Sequence, residues 1–162
     1  AAKHNPFVFF RDVTGEPPSK DNAYCAEHIV AYAQLKEDLA AGKLANYVFI
    51  TPNLCHDMHD PCDQPNRVAA GDQWLESELP PILDYAEKHS SVVFIAWDEG
   101  HLTRTIPFLA LGPHVRSGYR SDVEFDHRSI ARTVERIFGL PVLDAVQAAH
   151  DLEDLFQPGS LP

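Results

Sequence analysis

An apolar run, Val92-Val93-Phe94-Ile95-Ala96-Trp97, stops abruptly at Asp98-Glu99-Gly100. β-Branched and aromatic residues closed by a glycine read as a buried strand. Two acids at its end, with Gly100 allowing a sharp turn, belong at the carboxyl edge of a sheet, where open α/β folds hold ligands. A carboxylate in a half-buried crevice needs compensation. A divalent cation is the compensation that also does chemistry. The plain alternative is a pair of solvated loop acids.

The rest of the chain alternates helical and strand patterns. Residues 6–10 form a short apolar stretch, strand or packed loop. Residues 26–41 show helical periodicity, with Gly42 as the C-terminal stop. Tyr47-Val48-Phe49-Ile50 reads as a buried strand, broken by Thr51-Pro52-Asn53. A second helical region runs over 69–89, with Leu75, Leu79, Ile82, Leu83 and Ala86 on one face. Pro80-Pro81 within it predicts a kink or two consecutive helices. After the 92–97 strand comes a third apolar run, 106–111, closed by Gly112-Pro113. Its short link to the second strand suits an antiparallel pair. The last clear helix starts at Asp126, a good N-cap, and is expected to bury Ile130, Ala131, Val134, Ile137 and Phe138 before Gly139 and Pro141 end it. A short amphipathic segment covers 143–156. This alternation predicts an α/β fold with a mixed, mostly parallel sheet flanked by helices.

At 162 residues the chain suits one domain, 1–162, or part of a larger one. A formal net charge of -11 argues against a general nucleic-acid binder, which shows a basic face. A phosphorylated substrate stays compatible, because a metal and a few histidines reverse the local field. No apolar stretch is long enough to cross a membrane, and no basic-then-apolar leader opens the chain. Of the three cysteines, Cys55 and Cys62 are spaced to staple one loop, as in exported proteins, which leaves Cys25 over. Three reduced thiols stay open on the count alone.

Three groups of residues have the composition of a site. The first is Asn53-Leu54-Cys55-His56-Asp57-Met58-His59-Asp60-Pro61-Cys62, just after the 47–50 strand. Its histidines and aspartates suit a metal or a phosphoryl group, since imidazole ligates, donates to oxygen or protonates a leaving group. A solvated loop pinned by a disulfide is one alternative. A structural zinc site on Cys55, His59 and Cys62 is another. The second group is Asp98-Glu99. The third is Phe125-Asp126-His127-Arg128-Ser129 at a helix start, where amides and dipole favour anions. Helix capping by Asp126 is its plainer reading. His4, His28, His89, His101, His114 and His150 have no supporting context and read as surface or packing residues.

Lys3-His4-Asn5-Pro6-Phe7, then Ile50-Thr51-Pro52-Asn53-Leu54 running into the His-Asp loop, then Phe94 to Gly100, then Phe125 to Ser129 follow one another in a distinctive order. With Ile106-Pro107-Phe108-Leu109-Ala110-Leu111-Gly112-Pro113-His114-Val115, they resemble the phosphoesterase family of bacterial phospholipases C and acid phosphatases, in the alkaline-phosphatase-like superfamily. The resemblance implies a metal-dependent hydrolase of phosphoric esters, secreted or periplasmic, acting through a Ser or Thr nucleophile. It implies Asp98 and Glu99 as ligands of a divalent metal ion, His59 and His127 as catalytic histidines, and His56, Asp57 and His59 as contacts to the phosphate. As substrate the resemblance implies a phosphorylated small molecule or a phospholipid.

The family's acidic-Asn metal motif and its nucleophile have no counterpart here. Thr51, Ser129 and Thr133 lie near the inferred site, yet none matches the nucleophile position. The chain therefore resembles the C-terminal portion of a longer enzyme, and a missing N-terminal half or self-association is expected to cover its apolar edges. Two other readings stand beside this one: a non-catalytic remnant or binding domain of the same fold, and the small zinc domain.

Overall fold

A computed structural model describes residues 2–62, 66–100 and 104–162. They form two compact units, Ala1–Ile82 and Leu83–Pro162.

The N-terminal unit is helical. Asn5 caps a 3-10 turn at Pro6–Phe9, its side chain accepting from the Phe7 amide. The expected strand or loop over 6–10 is thus a turn followed by helix α1, Arg11–Thr14. The single helix predicted over 26–41 is two: α2, Ala23–His28, capped by Asn22, and α3, Ala33–Ala41. Ile29 between them is extended, at φ -115° and ψ 94°. Adjacent β-branched Ile29 and Val30 resist the helical χ1, and that is where the break falls. Gly42 ends α3 in the left-handed conformation, as its position predicts.

Residues 47–50 form no ladder among the described residues. Tyr47, Val48 and Phe49 are each 42–47 % exposed, whereas a strand of a parallel sheet is covered on both faces. The ring of Phe7 packs edge-on against Tyr47 and Phe49, with centroids 6.2 and 5.6 Å away. The mostly parallel sheet expected from the alternation is therefore not formed by the described residues.

The long helix is α4, Arg67–Lys88. Asn66 starts it, its Oδ1 accepting from the amides of Val68 and Ala69. Pro80 and Pro81 lie inside one continuous helix rather than dividing it in two. The predicted face holds: Ala86 is buried and Leu75, Leu79, Ile82 and Leu83 are half-buried.

In the C-terminal unit β1, Val93–Ala96, pairs antiparallel with β2, Phe108–Leu111, in the register Val93 to Leu111 and Ala96 to Phe108. Gly112 follows β2 at the open end of the hairpin with φ +149°, where a Cβ would stand 2.6 Å from the Ser91 carbonyl. Helix α5, His127–Ile137, starts at Asp126 as predicted, with a capping box to Ser129. Its buried face differs from the expected one. Ser129, Thr133 and Glu135 are buried, Ile130, Val134 and Ile137 are half-buried, and Ala131 and Phe138 are exposed. The cause is a polar joint: Thr133 Oγ1 donates to the Ser129 carbonyl at 2.6 Å and accepts from the Leu152 amide at 2.8 Å. That joint draws in the tail. Instead of one amphipathic segment, 143–156 holds 3-10 turns at Asp144–Val146 and Glu153–Leu155, with Val146, Leu152 and Phe156 buried. A bridge from Val115 to Phe156 closes it.

Candidate functional site

The first group is in the N-terminal unit. Cys55 and Cys62 form a disulfide, closing the predicted loop. Such a short closure restrains the unfolded chain by roughly 2–3 kcal/mol. It also removes both thiolates, so the zinc reading on Cys55, His59 and Cys62 fails for want of ligands. Cys25 is free and buried. Within the loop, Asn53 Oδ1 accepts from the amides of Cys55 and His56. Met58 turns with a φ of 68°. Its side chain lies against Gly71 of α4, where a Cβ would meet Met58 Cγ at 2.5 Å and the His56 carbonyl at 3.0 Å. Gly71 is what lets the helix approach the loop.

Two imidazole–carboxylate pairs result. His4 Nδ1 lies 2.7 Å from Asp57 Oδ2, and His59 Nδ1 lies 2.7 Å from Asp60 Oδ1. The two rings are 5.5 Å apart at their centroids. Lys3 Nζ is 3.4 Å from His59 Nε2, and Arg67 donates to the His59 carbonyl at 3.1 Å. Asp57 Oδ1 accepts from the His59 amide, and Thr51 Oγ1 donates to the His4 carbonyl. His56 is placed differently. Its ring stacks on Trp74 of α4, with centroids 6.1 Å apart. Trp74 in turn packs on Tyr32, whose hydroxyl donates to Glu78.

His4, assigned above to surface or packing, is thus at the centre of this cluster, with Lys3 and Asp60. The signal was its place in the Lys3-His4-Asn5-Pro6 opening, which no local pattern ties to a loop some fifty residues on. The separation in sequence is 53.

The second group is in the C-terminal unit. Asp98 and Glu99 follow the carboxyl end of β1 as predicted, but both are exposed rather than half-buried. His127 opens α5, and its Nε2 donates to the Trp97 carbonyl at 3.0 Å, which brings it beside the acidic pair. Asp126 is fully occupied: it caps α5 and accepts from Arg128 Nε and Nη2 at 2.8 and 2.5 Å. The Arg128 guanidinium holds its carboxyl below the usual carboxylate range. His101 lies outside the described residues.

The carboxylates of Asp98 and Glu99 have the oxygen chemistry a hard divalent ion prefers. They are short in number: among the described residues no group of three or more His, Cys, Asp or Glu is placed to hold a metal. Of the three hydroxyls near the inferred site, Thr51 donates to the His4 carbonyl. Ser129 and Thr133 are buried and committed to the α5 cap and the tail joint. A cavity of about 460 Å³ opens beside α5, lined by Arg132, His150, Asp151, Glu153 and Asp154 among others. Its acids are already engaged. Asp151 and Glu153 pair with Arg136, and Asp154 accepts from Tyr119 and Ser121.

No helix among the described residues is long and apolar enough to cross a membrane. The chain matches the phosphoesterase family over residues 3–102 and 100–141. A phosphate-repressible acid phosphatase of Penicillium chrysogenum is 34% identical over 149 residues, 87% of this chain and 33% of that protein. A phosphatidylinositol-3-phosphatase of Mycobacterium tuberculosis is 32% identical over 110 residues, 67% of this chain and 35% of that protein. An acid phosphatase of Aspergillus fumigatus is 29% identical over 148 residues, 87% and 31% of the two. The chain spans about a third of the length of these curated relatives. No solved structure shows a significant match. The match over nearly the whole chain takes in the His-Asp loop, the acidic pair after β1 and the start of α5, and on it the chain belongs to the phosphoesterase family.

Proposed function

We propose that this chain is the C-terminal portion of a metal-dependent hydrolase of phosphoric esters. The observation that carries the reading is the pairing of His4 with Asp57 and His59 with Asp60 beside Lys3. Imidazoles backed by carboxylates, with an ammonium alongside, suit a phosphoryl group in charge and in hydrogen-bonding geometry. The family match supports the reaction class, and the acid phosphatases among the relatives support a phosphomonoester as substrate. A phospholipid headgroup is the other form of the same phosphoryl chemistry, as in the relative named for phosphatidylinositol 3-phosphate.

Each group has its own work. His59 orients the phosphoryl oxygens and stands ready to protonate a leaving oxygen. Asp57 holds His4 in place and fixes the loop through the His59 amide. Asp98 and Glu99 would hold the divalent ion, which when bound supplies neutralisation of charge on phosphoryl and attacking oxygens. His127 steadies the Trp97 carbonyl next to them and keeps its Nδ1 side for a proton or an anion. His56, stacked on Trp74, supports the loop from behind.

The nucleophile belongs to the part of the protein outside this chain. So does the cover for Phe9, Phe10, Tyr47, Val48 and Phe49, which are 42–71 % exposed. An apolar surface of that extent asks for a partner, and the rest of the mostly parallel sheet is the partner this reading supplies. The disulfide supports a secreted or periplasmic location.

The experiment is hydrolysis of p-nitrophenyl phosphate and of its phosphorylcholine ester, with and without divalent ion, by this chain and by the full-length protein, each against Asp98→Ala. Metal-dependent turnover by the full-length protein, lost in Asp98→Ala, is the expected result. Turnover that survives Asp98→Ala undivided would remove the acids from the reaction. No turnover and no metal binding by either protein would favour a non-catalytic remnant of the fold.

A further inference from the structure

The two imidazole–carboxylate pairs have a consequence for protons. Each ring lies with Nδ1 at 2.7 Å from a carboxylate oxygen. An ionised carboxylate only accepts, so each ring donates from Nδ1. The partner on one ring nitrogen fixes the tautomer and leaves the lone pair on the other. On a neutral ring that lone pair is on Nε2. At His59 this is the atom Lys3 Nζ faces at 3.4 Å, and an ammonium only donates.

The oxygens of a phosphoryl dianion also only accept. Neither Nε2 serves it until that nitrogen gains a proton. We propose that Asp57 and Asp60 are positioning residues that make anion binding at this cluster proton-coupled: His4 and His59 each take one proton from water at Nε2 when a phosphoryl dianion is held. This rests on the phosphoester reading above.

Charge balance agrees. The charged groups facing the pair are Lys3 and Arg67, positive, against Asp57 and Asp60, negative. Among these described side chains positive and negative charges balance, so two added protons supply the two positive charges that complement a dianion. His56, stacked on Trp74, is the remaining titratable side chain of the loop. The carboxylate behind each ring then stabilises the imidazolium it created, so the protein does not hold two bare cations 5.5 Å apart.

Sulfate is the probe, because it stays a dianion through the range of about pH 5 to 8 in which histidine titrates. Nitrogen-15 NMR of the imidazoles reads the tautomers. Calorimetry in buffers of different ionisation enthalpy counts the protons. In the 162-residue chain we expect both rings as Nδ1–H without anion and doubly protonated with sulfate. Affinity should fall by up to about tenfold per pH unit for each proton taken up. In Asp57→Ala, His4 is released to the Nε2–H tautomer and uptake drops by about one proton. Asp57→Asn keeps one oxygen for the His59 amide, which preserves the loop and controls for folding, and turns an N–H toward His4 Nδ1, so it releases His4 to the Nε2–H tautomer as Asp57→Ala does. Sulfate binding without proton uptake, or an Nε2–H tautomer at His4 in the parent, overturns the proposal. Absence of sulfate binding, with hydrolysis by the full-length protein still lost in Asp98→Ala, ends it while the phosphoester reading stands. Loss of both results removes that reading and the proposal with it.

Discussion

The imidazole of His127 donates to the carbonyl of Trp97 at 3.0 Å, so the first residue of α5 is tied to the residue before Asp98. The bond joins a helix start to the end of β1, thirty positions apart in sequence. His127→Ala returns the carbonyl to water and costs about 0.5–1.5 kcal/mol of stability. If Asp98 and Glu99 hold the ion, its affinity falls in the same variant, because their backbone loses its tether. Calorimetric titration with a divalent ion measures this. Unchanged affinity at reduced stability would assign His127 to the fold alone.

Gly71 is a second point where a single carbon decides the geometry. Alanine favours a helix over glycine by about 1 kcal/mol. Here the added Cβ would stand 2.5 Å from Met58 Cγ and 3.0 Å from the His56 carbonyl. Overpacking of this kind costs about 1–3 kcal/mol, and a backbone carbonyl is among the atoms that must move. Gly71→Ala is therefore expected to destabilise and to displace the His-Asp loop. The double variant Gly71→Ala/Met58→Ala removes the nearest side-chain clash and should recover part of the loss. Chemical denaturation of both variants provides the check, and a stabilised single variant would refute the account.

Local chemistry made parts of this structure legible in the sequence. Asp126 before a periodic apolar run, Gly42 after one, and two cysteines seven apart each carry their own conformational signal. The antiparallel partner of β1 was readable from a short link. The placement of Asp98 and Glu99 after β1 was readable from the apolar run, though not their exposure. What was not readable depends on long-range placement. Residues 47–50 have the composition of a strand, but a strand needs neighbours, and the described residues provide none. The face of α5 was misjudged because Thr133 buries itself through two hydrogen bonds, one of them to an amide nineteen residues on. His4 was passed over because its partner is fifty-three residues away and its own neighbourhood is ordinary.

Acid should weaken the fold through carboxylates held below their ordinary values, Glu78 and Asp126 among them. The Tyr32 hydroxyl, followed by Lys36, holds the Glu78 carboxyl below its ordinary value of 4.5, and Arg128 holds Asp126 below 3.8. A depressed native value means the unfolded chain binds the proton first. The stabilisation is complete above the ordinary values and is lost as pH falls through them toward the native ones. Both groups are near the surface, so the effect is modest and screened by salt. Denaturant midpoints between about pH 6 and pH 3 should fall for the parent and fall less for Tyr32→Phe, which lacks the donor to Glu78. Parallel curves would show that Glu78 contributes nothing to the acid limb.

Thr133 joins helix to tail. Its hydroxyl is fully buried, donates to the Ser129 carbonyl at 2.6 Å and accepts from the Leu152 amide at 2.8 Å. Valine has the same shape without the hydroxyl. Thr133→Val leaves the Leu152 amide buried with no acceptor, a loss of about 1–3 kcal/mol. The Ser129 carbonyl suffers less, because helix geometry offers it an amide as well. The damage should therefore spread along the tail rather than the helix: Leu152 and Phe156 lose their burial, and the bridge from Val115 to Phe156 loosens. Hydrogen exchange separates these outcomes. The Leu152 amide should lose protection in Thr133→Val and keep it in Thr133→Ser, which retains the oxygen. Equal loss of protection in both variants would mean that the γ-methyl, not the hydroxyl, fastens the tail.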